Sequence, residues 1–348
     1  MKEGWEYKIF ESCLVKVPKQ VQIKSKDYKK EGKFPIVSQE AELISGYWDD
    51  ETIVYKHKEP VVIFGDHTKN IKYVDFNFVV GADGTHILST KKDINPKFFY
   101  YVLKSIKLRE LGYARHYKLL KEKYIPVPSL PEQQSIVDYL DSSFAKIDAM
   151  KANAEKALNE AKVLFQASLK EMLEPKEGWE EKKLIKEFSL KSGENLSAKN
   201  QVIGPYPVYG GNGITGYHNQ YNLSGDQILI GRVGALCGNI HYIKERIWVT
   251  DNAFVVNNIS SSWNMLFLSY ELEYINLNQY ASQTAQPVIS NKSMKDVSIF
   301  QPPLSEQQSI VATLDSLKSK VDRLQANYEK ISQECDALKQ AILRQVFE

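Results

Sequence analysis

The sequence predicts an α+β protein in which two related α/β domains are each followed by a long helix, and the two helices pair within one chain. Three observations predict this fold. The segment LPEQQSIVDYLD at 130–141 returns as LSEQQSIVATLD at 304–315, an offset of 174 in a chain of 348 residues. Without gaps, 21 of 44 positions are identical between 130–173 and 304–347, and KEGWE occupies both 2–6 and 176–180. Because solenoid repeats are only about 20–50 residues long, this period indicates a duplicated domain with an appended helix, related by pseudo-two-fold symmetry.

The repeat sets the expected domain boundaries. We place the first globular domain at 1–130 and its helix at 131–173, and the second globular domain at 174–304 and its helix at 305–348. A proline-containing connector precedes each helix, with Pro126 and Pro128 in the first half and Pro302 and Pro303 in the second. Proline disfavours helix in the residue before it, so these connectors separate each globular domain from its helix.

Each globular domain contains short apolar runs separated by glycine-rich turns and then a helix-like stretch, at 95–107 or 263–275, which is typical of α/β structure. The halves remain weakly similar here, since 34–37 resembles 206–209 and 75–80 resembles 251–256. The expected strands are 61–64, 71–74 and 76–80 in the first half, and 227–230, 239–243, 247–250 and 253–256 in the second.

The two helical segments have the composition and spacing of a coiled coil. Neither contains glycine, and both are rich in Ala, Leu, Glu, Lys and Gln, which favour helix. In the second segment apolar residues alternate at spacings of three and four, which predicts a coiled-coil seam. The seam consists of Ile310, Leu317, Leu324, Ile331 and Leu338 with Leu314, Val321, Tyr328, Cys335 and Ile342. At the same offset the first segment has mostly smaller residues, namely Ile136, Ser143, Met150, Ala157 and Leu164 with Leu140, Ile147, Ala154, Ala161 and Ser168.

Motifs of common enzymes are missing from the sequence. It contains no GxxxxGK[ST] phosphate loop, no GxGxxG between a strand and a helix, and no CxxC or HExxH. The six histidines lack metal-ligand spacing, so we expect neither catalytic residues nor metal ligands. Three scattered cysteines and a charged N-terminus favour the cytoplasm, and because the sequence has no membrane-length apolar run we expect no transmembrane helix and no membrane partner. The chain therefore resembles a binding protein more than a catalyst.

Charge is unevenly distributed between the two globular domains. Residues 1–130 carry 23 basic and 17 acidic side chains, whereas 174–304 carry 11 and 12. The lysines at 16–33 suit contact with nucleic-acid phosphates, although a solvated lysine-rich loop explains them equally well. The second domain is instead rich in Tyr, Asn, Gln and Gly, and the first three of these can bind or stack on bases.

The doubled pattern resembles the specificity subunit of type I DNA restriction–modification systems. The motifs that carry the resemblance are PSLPEQQ at 128–134 and PPLSEQQ at 302–308, each behind a domain that begins with GW. Within the domains, FGDHT at 64–68, YPVYGGNG at 206–213 and IGR at 230–232 are similar to that family's target recognition domains. The resemblance covers the whole chain.

The resemblance implies a function and a set of partners. Each globular domain would read one half of a bipartite site in double-stranded DNA, and the helices would form an antiparallel coiled coil that sets the unread spacer. Two methylation subunits would dock on the helices and bring S-adenosylmethionine, and a motor-nuclease subunit would bring ATP and Mg²⁺. This chain would bind no cofactor and would be non-catalytic.

Individual contact residues do not transfer from the family, so we choose them by position and chemistry. Arg can bind guanine, Asn and Gln can bind adenine, and Lys can bind phosphate. The expected DNA-binding residues are Gln39, His67, Thr68, Lys69, Arg115, His116 and Tyr117 in the first domain, and Tyr209, Asn212, Tyr217, Arg232, Asn252, Gln283 and Gln286 in the second. The expected partner-binding residues are Glu132, Gln133, Gln134, Glu306, Gln307 and Gln308, for which helix capping is a compatible alternative.

Two other functions remain open from the sequence. One is a coiled-coil scaffold that binds proteins and reads no DNA. The other is a free-standing enzyme, which the missing motifs disfavour. Neither the bases that are read nor the spacer length follows from the residues.

Overall fold

The computed structural model describes residues 4–109, 112, 115–282 and 286–348. The chain divides into two compact units, Met1–Glu155 with Tyr328–Glu348, and Lys156–Asn327. We call them the first unit and the second unit and describe each by itself. Each unit contains one globular domain and parts of both long helices, because the helices are α3 (Leu130–Leu173) and α6 (Leu304–Phe347).

The globular part of the first unit contains three antiparallel or mixed sheets. A four-stranded sheet has the order β2-β10-β7-β8, a second has the order β3-β9-β4-β5 with β6 also on β9, and β1 pairs with β11. The strands are β1 (Glu6–Ile9), β2 (Leu14–Val15), β3 (Gln22–Ile23), β4 (Phe34–Val37), β5 (Gly46–Trp48), β6 (Val54–Tyr55), β7 (Val61–Gly65), β8 (Ile71–Val74), β9 (Phe78–Gly81), β10 (Thr85–Thr90) and β11 (Tyr124–Val127).

Two short helices complete this unit, α1 (Pro96–Ser105) and α2 (Tyr117–Lys121). Asn95 caps α1, since its side-chain oxygen accepts hydrogen bonds from the amides of Lys97 and Phe98. Capping satisfies amides that the helix itself leaves unpaired. Helix α1 buries Phe98 and Phe99 in one core with residues of β7, β10 and α3. The core thus joins the sheet to the start of the long helix.

The second unit repeats this arrangement with some differences. Its four-stranded sheet has the order β13-β19-β16-β17, β14 lies between β15 and β18, and β12 pairs with β20. The strands are β12 (Glu180–Lys183), β13 (Ser189–Ser192), β14 (Tyr206–Gly210), β15 (Gly213–His218), β16 (Gln227–Gly231), β17 (Ile240–Ile243), β18 (Trp248–Val249), β19 (Ala253–Asn257) and β20 (Ser298–Gln301). The helices are α4 (Leu184–Glu187) and α5 (Met265–Ile275), and Asn264 caps α5 as Asn95 caps α1.

The sheet orders test the similarity that was expected between the halves. Strands β4 and β14 hold equivalent places, each beside one parallel and one antiparallel neighbour, so the match of 34–37 with 206–209 is confirmed. The match of 75–80 with 251–256 is wrong, because β19 takes the place of β10 in its sheet whereas β9 lies in a different sheet. Short runs of valine and phenylalanine are common to buried strands, so similarity of this kind does not identify the partner strand.

Helices α3 and α6 run antiparallel, as the contacts within each unit show. In the first unit Lys151 lies 3.9 Å from Asp336, and Lys339 bonds to Asp148. In the second unit the Lys162 ammonium donates to the Gln325 amide oxygen at 2.8 Å. Residue numbers rise along one helix as they fall along the other, so the predicted antiparallel pairing is confirmed.

The predicted seam is right for α6 and half wrong for α3. Along α6 the predicted seam positions are buried or half-buried apart from Leu338, which is mostly exposed. Along α3 one predicted series is half-buried at Ile136 and Ser143 but exposed further along, with Met150 at 58% and Leu164 at 59%. The large residues of the seam lie one position later, where Val137, Leu158 and Phe165 are buried and Phe144 is half-buried. Burial of these large side chains outweighs burial of Ser143 or Ala157, so the seam follows them.

Candidate nucleic-acid interface

The turn after β7 brings together four of the residues expected to bind DNA in the first unit. The Gln39 side-chain oxygen accepts from the His67 amide at 3.0 Å, and its carbonyl accepts from the Thr68 hydroxyl at 2.6 Å. Lys69 follows in the left-handed region with φ of 59°. A Cβ at Gly65 would lie 2.3 Å from the Thr68 Oγ1, so the close turn requires glycine there. Gln39 therefore fixes the turn on which His67, Thr68 and Lys69 are displayed.

Asp66 joins this turn to the segment that begins at Arg115. Its carbonyl accepts from the His116 amide and its Oδ1 accepts from the Tyr117 amide, both at 2.8 Å. Its other oxygen lies 3.3 Å from the His86 Nε2, and the His86 ring stacks on Tyr117 with centroids 4.0 Å apart. In the sequence Asp66 stood out only as part of the FGDHT motif at 64–68, and its position directly after a buried strand was the available signal.

Exposure separates the positioning residues of the first unit from those able to touch DNA. His116 is buried and Tyr117 is half-buried, so their contacts hold the loop. Thr68 is exposed and the Arg115 side chain is largely exposed, 4.0 Å from the Asp66 carboxylate. The Thr68 hydroxyl and the Arg115 guanidinium therefore lie on one surface beside Lys69. Such groups can bind base edges and phosphates of DNA.

In the second unit Arg232 occupies the position that Asp66 has in the first, directly after the glycine that ends the strand. Its Nη1 donates to the Ser192 hydroxyl at 3.1 Å and to the Asp251 carbonyl at 3.3 Å, and the guanidinium lies 5.3 Å from the Phe254 ring centroid. Its amide donates to the Asn252 carbonyl at 2.9 Å. The guanidinium is thus used inside the protein, where it positions the loop at Asn252.

Three loops meet around Arg232. The Ile289 amide donates to the Arg232 carbonyl at 2.9 Å, and the Gly234 amide donates to the Pro287 carbonyl at 3.0 Å. A Cβ at Gly211 would lie 2.8 Å from the Val233 carbonyl oxygen and 2.9 Å from that of Asn252, so this approach requires glycine. The cluster leaves the exposed residues Asn212, Asn252 and Gln286 on the same set of loops.

The other expected residues of the second unit lie apart from those three loops or outside the described part. Tyr209 is buried with its ring 5.8 Å from that of His241, so it serves the core. Tyr217 is exposed on β15. Gln283 lies outside the described residues.

The residues expected to bind partner subunits form a joint between each globular domain and its helix. The Gln133 amide nitrogen donates to the carbonyls of Asp93 and Pro128 at 3.0 and 2.9 Å, and its oxygen accepts from the Asn95 amide at 2.8 Å. Gln307 makes the same three bonds, to Ser262, Pro302 and Asn264, at 3.0, 2.9 and 2.7 Å. Both glutamines are 0% exposed, so their side chains secure the joint from inside.

Four of the expected partner-binding residues have some exposed surface at this joint. Glu132 and Glu306 accept from tryptophan indoles, and Gln134 accepts from the Asn95 side chain at 2.9 Å. Gln308 is exposed in the same turn of its helix as Gln307. A contact of these side chains with a partner stays a prediction.

The described residues contain neither a cluster of metal ligands nor a membrane-spanning helix. No group of three His, Cys, Asp or Glu side chains there is arranged to hold a metal ion. In the same part of the chain, no helix combines the length and apolar character needed to cross a membrane.

Comparisons with known proteins agree with the fold. The family model of the type I restriction modification DNA specificity domain matches twice, at residues 3–160 and 176–333. The Escherichia coli EcoprrI specificity subunit is 36% identical over 133 residues, which cover 37% of this chain and 33% of that protein. The Escherichia coli EcoR124I/EcoR124II specificity subunit is 28% identical over 198 residues, covering 53% and 48%. The matches thus span less than half the length of these curated relatives.

Solved structures show the same fold over the full chain. A chain from a structure titled "Structural basis underlying complex assembly and conformational transition of the type I R-M system" superposes with a TM-score of 0.71 at 19% identity, covering 100% of this chain and 98% of that one. The HsdS subunit from Thermoanaerobacter tengcongensis gives a TM-score of 0.50 at 20% identity, covering 100% and 97%.

Proposed function

This chain belongs to the family of type I restriction modification DNA specificity domains, and we propose that it is the non-catalytic DNA-recognition subunit of such an enzyme. Each globular domain, at 1–130 and 174–304, reads one half of a bipartite site. The paired helices at 131–173 and 305–348 set the length of the unread spacer. Catalysis and its cofactors, S-adenosylmethionine, ATP and Mg²⁺, belong to the methylation and motor-nuclease subunits.

The observation that carries this proposal is the pair of loop clusters at equivalent strand ends. Both follow a strand that ends in glycine, and both are held by a buried or half-buried charged residue, Asp66 in one unit and Arg232 in the other. The displayed residues differ, with Thr68 and Arg115 in the first and Asn212 and Asn252 in the second. Two rigid surfaces with different donors and acceptors are what two different half-sites require.

Two further aspects of the function follow from this role. The exposed side chains around the two joints, Glu132, Gln134, Glu306 and Gln308, contact two methylation subunits, one at each helix start. The chain works in the cytoplasm, where DNA is available and where its three unpaired cysteines stay reduced.

The test is methylome sequencing of the host with and without this gene, followed by single substitutions. The expected result is an interrupted methylation motif that depends on the gene. Arg115→Ala relaxes only one half of that motif and Asn252→Ala only the other, because each residue lies in a different loop cluster. Lys156→Ala, an exposed position on α3, serves as the control and leaves both halves unchanged.

Two outcomes would refute the proposal. Equal relaxation of both halves by either substitution would remove the assignment of one domain to each half. A chain that joins a complex but shows no preference among DNA duplexes would instead be a coiled-coil scaffold.

A further inference from the structure

The second unit contains an open groove of about 1070 Å³ between β17, α5 and α6. Its walls include His241 and Tyr242 of β17, Tyr270 and Glu273 of α5, and charged residues of α6. Strand β17 pairs with β16 and is the end strand of its sheet among the described residues, and residues 240–243 of this strand line the groove. Pockets for small ligands are about 300–1,000 Å³, and an unpaired strand edge is a template for another strand.

The first unit fills the equivalent place with its own side chains. Alignment of the helix caps Asn95 and Asn264 makes Tyr100 equivalent to Ser269, and the 174-residue offset makes Phe144 equivalent to Lys318. In the first unit Tyr100 packs against Tyr73 with ring centroids 6.1 Å apart, and Phe144 packs against Tyr101 at 5.5 Å. Ser269 is much smaller than Tyr100, and the Lys318 ammonium lies 5.7 Å from the Phe165 ring centroid, so the groove lies where these two residues differ between the repeats.

An ion pair of the first unit is also missing from the second. In the first unit Asp141 accepts from the Lys97 ammonium at 2.7 Å and from the Tyr101 hydroxyl at 2.5 Å. The equivalent aspartate is Asp315, and the equivalents of Lys97 and Tyr101 are Leu266 and Tyr270. The lysine is therefore replaced by a residue that cannot donate.

Two polar groups of the groove also lack the partners that their equivalents have in the first unit. The Tyr270 hydroxyl is buried, in a residue only 3% exposed, and has no hydrogen-bond partner among the described residues. Asp315 has no ion-pair partner within 4.0 Å in the same part of the chain. The nearby Lys244 lies over the Tyr242 ring instead, 5.6 Å from its centroid. An unsatisfied buried hydroxyl is unfavourable, so the site favours a ligand that supplies hydrogen bonds and a positive charge.

We propose that this groove binds an extended segment of another protein subunit, which adds a strand to the edge of β17 and places a lysine or arginine side chain against Asp315. The added strand satisfies the backbone edge, and the incoming cation takes the place that Lys97 has in the first unit. The remaining charges on α6, Lys318, Asp322 and Arg323, have both signs and suit a segment that carries both. Nucleic acid is disfavoured because the groove has no excess of positive charge: Lys244, Lys318 and Arg323 are balanced by Glu273, Asp315 and Asp322. The inference rests on the proposed function, since it requires assembly with other subunits.

Hydrogen exchange of the full chain, alone and assembled with its methylation subunits, tests the inference. We expect the amides of residues 240–243 to exchange at least tenfold more slowly in the assembled complex. Residues 71–74 provide the matched control, because β8 is the equivalent edge strand in the unit where Tyr100 and Phe144 fill the space. Their exchange is expected to stay unchanged.

Two variants identify the groove as the cause. The triple variant Leu266→Lys, Ser269→Tyr and Lys318→Phe copies the first unit and abolishes the protection of 240–243. Asp315→Asn, a nearly isosteric change at an exposed site, leaves the fold intact and reduces that protection at least threefold. A photo-crosslinker at Ser319 in the wild-type background then couples to a segment of another subunit that contains lysine or arginine.

The failures of the two proposals are distinguishable. A normal complex that reads both half-sites, but in which 240–243 exchange at the free rate, would overturn the inference and leave the proposed function intact. Protection that appears with DNA alone would also overturn it. If the chain forms no complex with methylation subunits, the proposed function fails, and this inference fails with it.

Discussion

The indole Nε1 of Trp5 donates a hydrogen bond to the Glu132 carboxylate at 2.8 Å, across 127 residues of sequence. The same bond recurs between Trp179 and Glu306 at 3.3 Å, again across 127 residues. Both glutamates lie in the first turn of a long helix, where the helix dipole favours negative charge. In each half, a hydrogen bond from the first aromatic residue of the globular domain thus links that domain to the first turn of its long helix.

Trp5→Phe is expected to lower the free energy of unfolding by about 1 kcal/mol, since a partly exposed hydrogen bond to a charged group contributes about that much. Denaturant unfolding measures it. In a double-mutant cycle with Glu132→Ala, which removes the acceptor, most of the loss should appear as coupling between the two residues. Tyr139→Phe, at an exposed site on the same helix, is the control. Additive effects of the two substitutions would contradict the prediction.

Removal of a joint glutamine should be more costly. Gln133→Ala or Gln307→Ala leaves one amide and two carbonyls without their buried partner, which we expect to destabilise the fold by about 3 kcal/mol. Gln308→Ala, an exposed neighbour, should change the stability by less than about 0.5 kcal/mol. Thermal unfolding of the three variants compares them directly. A similar small effect for all three would mean that the glutamines do not secure the joint.

Arg232 should act on DNA reading through the loop that it holds. Arg232→Ala removes the bonds to Ser192 and the Asp251 carbonyl, so the loop at Asn252 loosens. Discrimination at the second half-site should fall at least tenfold, and discrimination at the first should stay unchanged. Arg232→Lys should restore discrimination at the second half-site only partly, because an ammonium cannot reproduce the planar guanidinium. Competition binding with DNA duplexes altered in one half-site measures the discrimination at each half-site. Full rescue by lysine would show that charge alone matters.

Burial of the Glu271 carboxyl should make the stability of the protein depend on pH. Burial raises the pKa of this carboxyl from 4.5 to about 7, and its one hydrogen bond, from the Phe300 amide, opposes the rise. Between pH 4.5 and 7 the folded state holds more protons than the unfolded state, so the free energy of unfolding falls as the pH rises through this window, by about 3 kcal/mol in total. Below pH 4.5 the Glu271 carboxyl is mostly protonated in both the folded and the unfolded state, so it adds no pH dependence to the stability.

Glu271→Gln should abolish that part of the pH dependence. The amide keeps an acceptor for Phe300 and does not ionise, so the variant should be about as stable as the wild type at pH 4.5 and more stable at pH 8. Denaturant unfolding at several pH values measures the slope. Glu181→Gln, at an exposed site on β12, should keep the wild-type slope. An unchanged slope in Glu271→Gln would assign the pH dependence to other groups.

The regular parts of the molecule follow from sequence periodicity. The seam of α6 and the capped helices α1 and α5 were predictable, because spacing and capping are local properties. The seam of α3 was not predictable, since copying the register by 174 residues ignored that Leu158 and Phe165 are buried and Phe144 is half-buried. A large side chain can be assigned to the coiled-coil seam only when the residues around it in space are known.

The candidate site depended on contacts between distant residues. The turn residues His67, Thr68 and Asn212 were identifiable from strand ends and glycine. The role of Asp66 was not, because its carboxylate accepts from an amide 51 residues away. Arg232 has the right chemistry for guanine, yet its guanidinium bonds to Ser192 and Asp251 inside the protein. Sequence indicates which side chains are available, and only the fold determines which of them face outward.

The glutamine joint has a consequence for how such a protein can evolve. Gln133 bonds to Asp93, Asn95 and Pro128, which lie outside the loops that display Thr68 and Arg115. Mutations in those loops therefore leave the joint intact, and selection can change what a domain recognises without disturbing how it is mounted. Because the chain carries two such domains on joints of the same kind, natural variation can change each recognition surface independently.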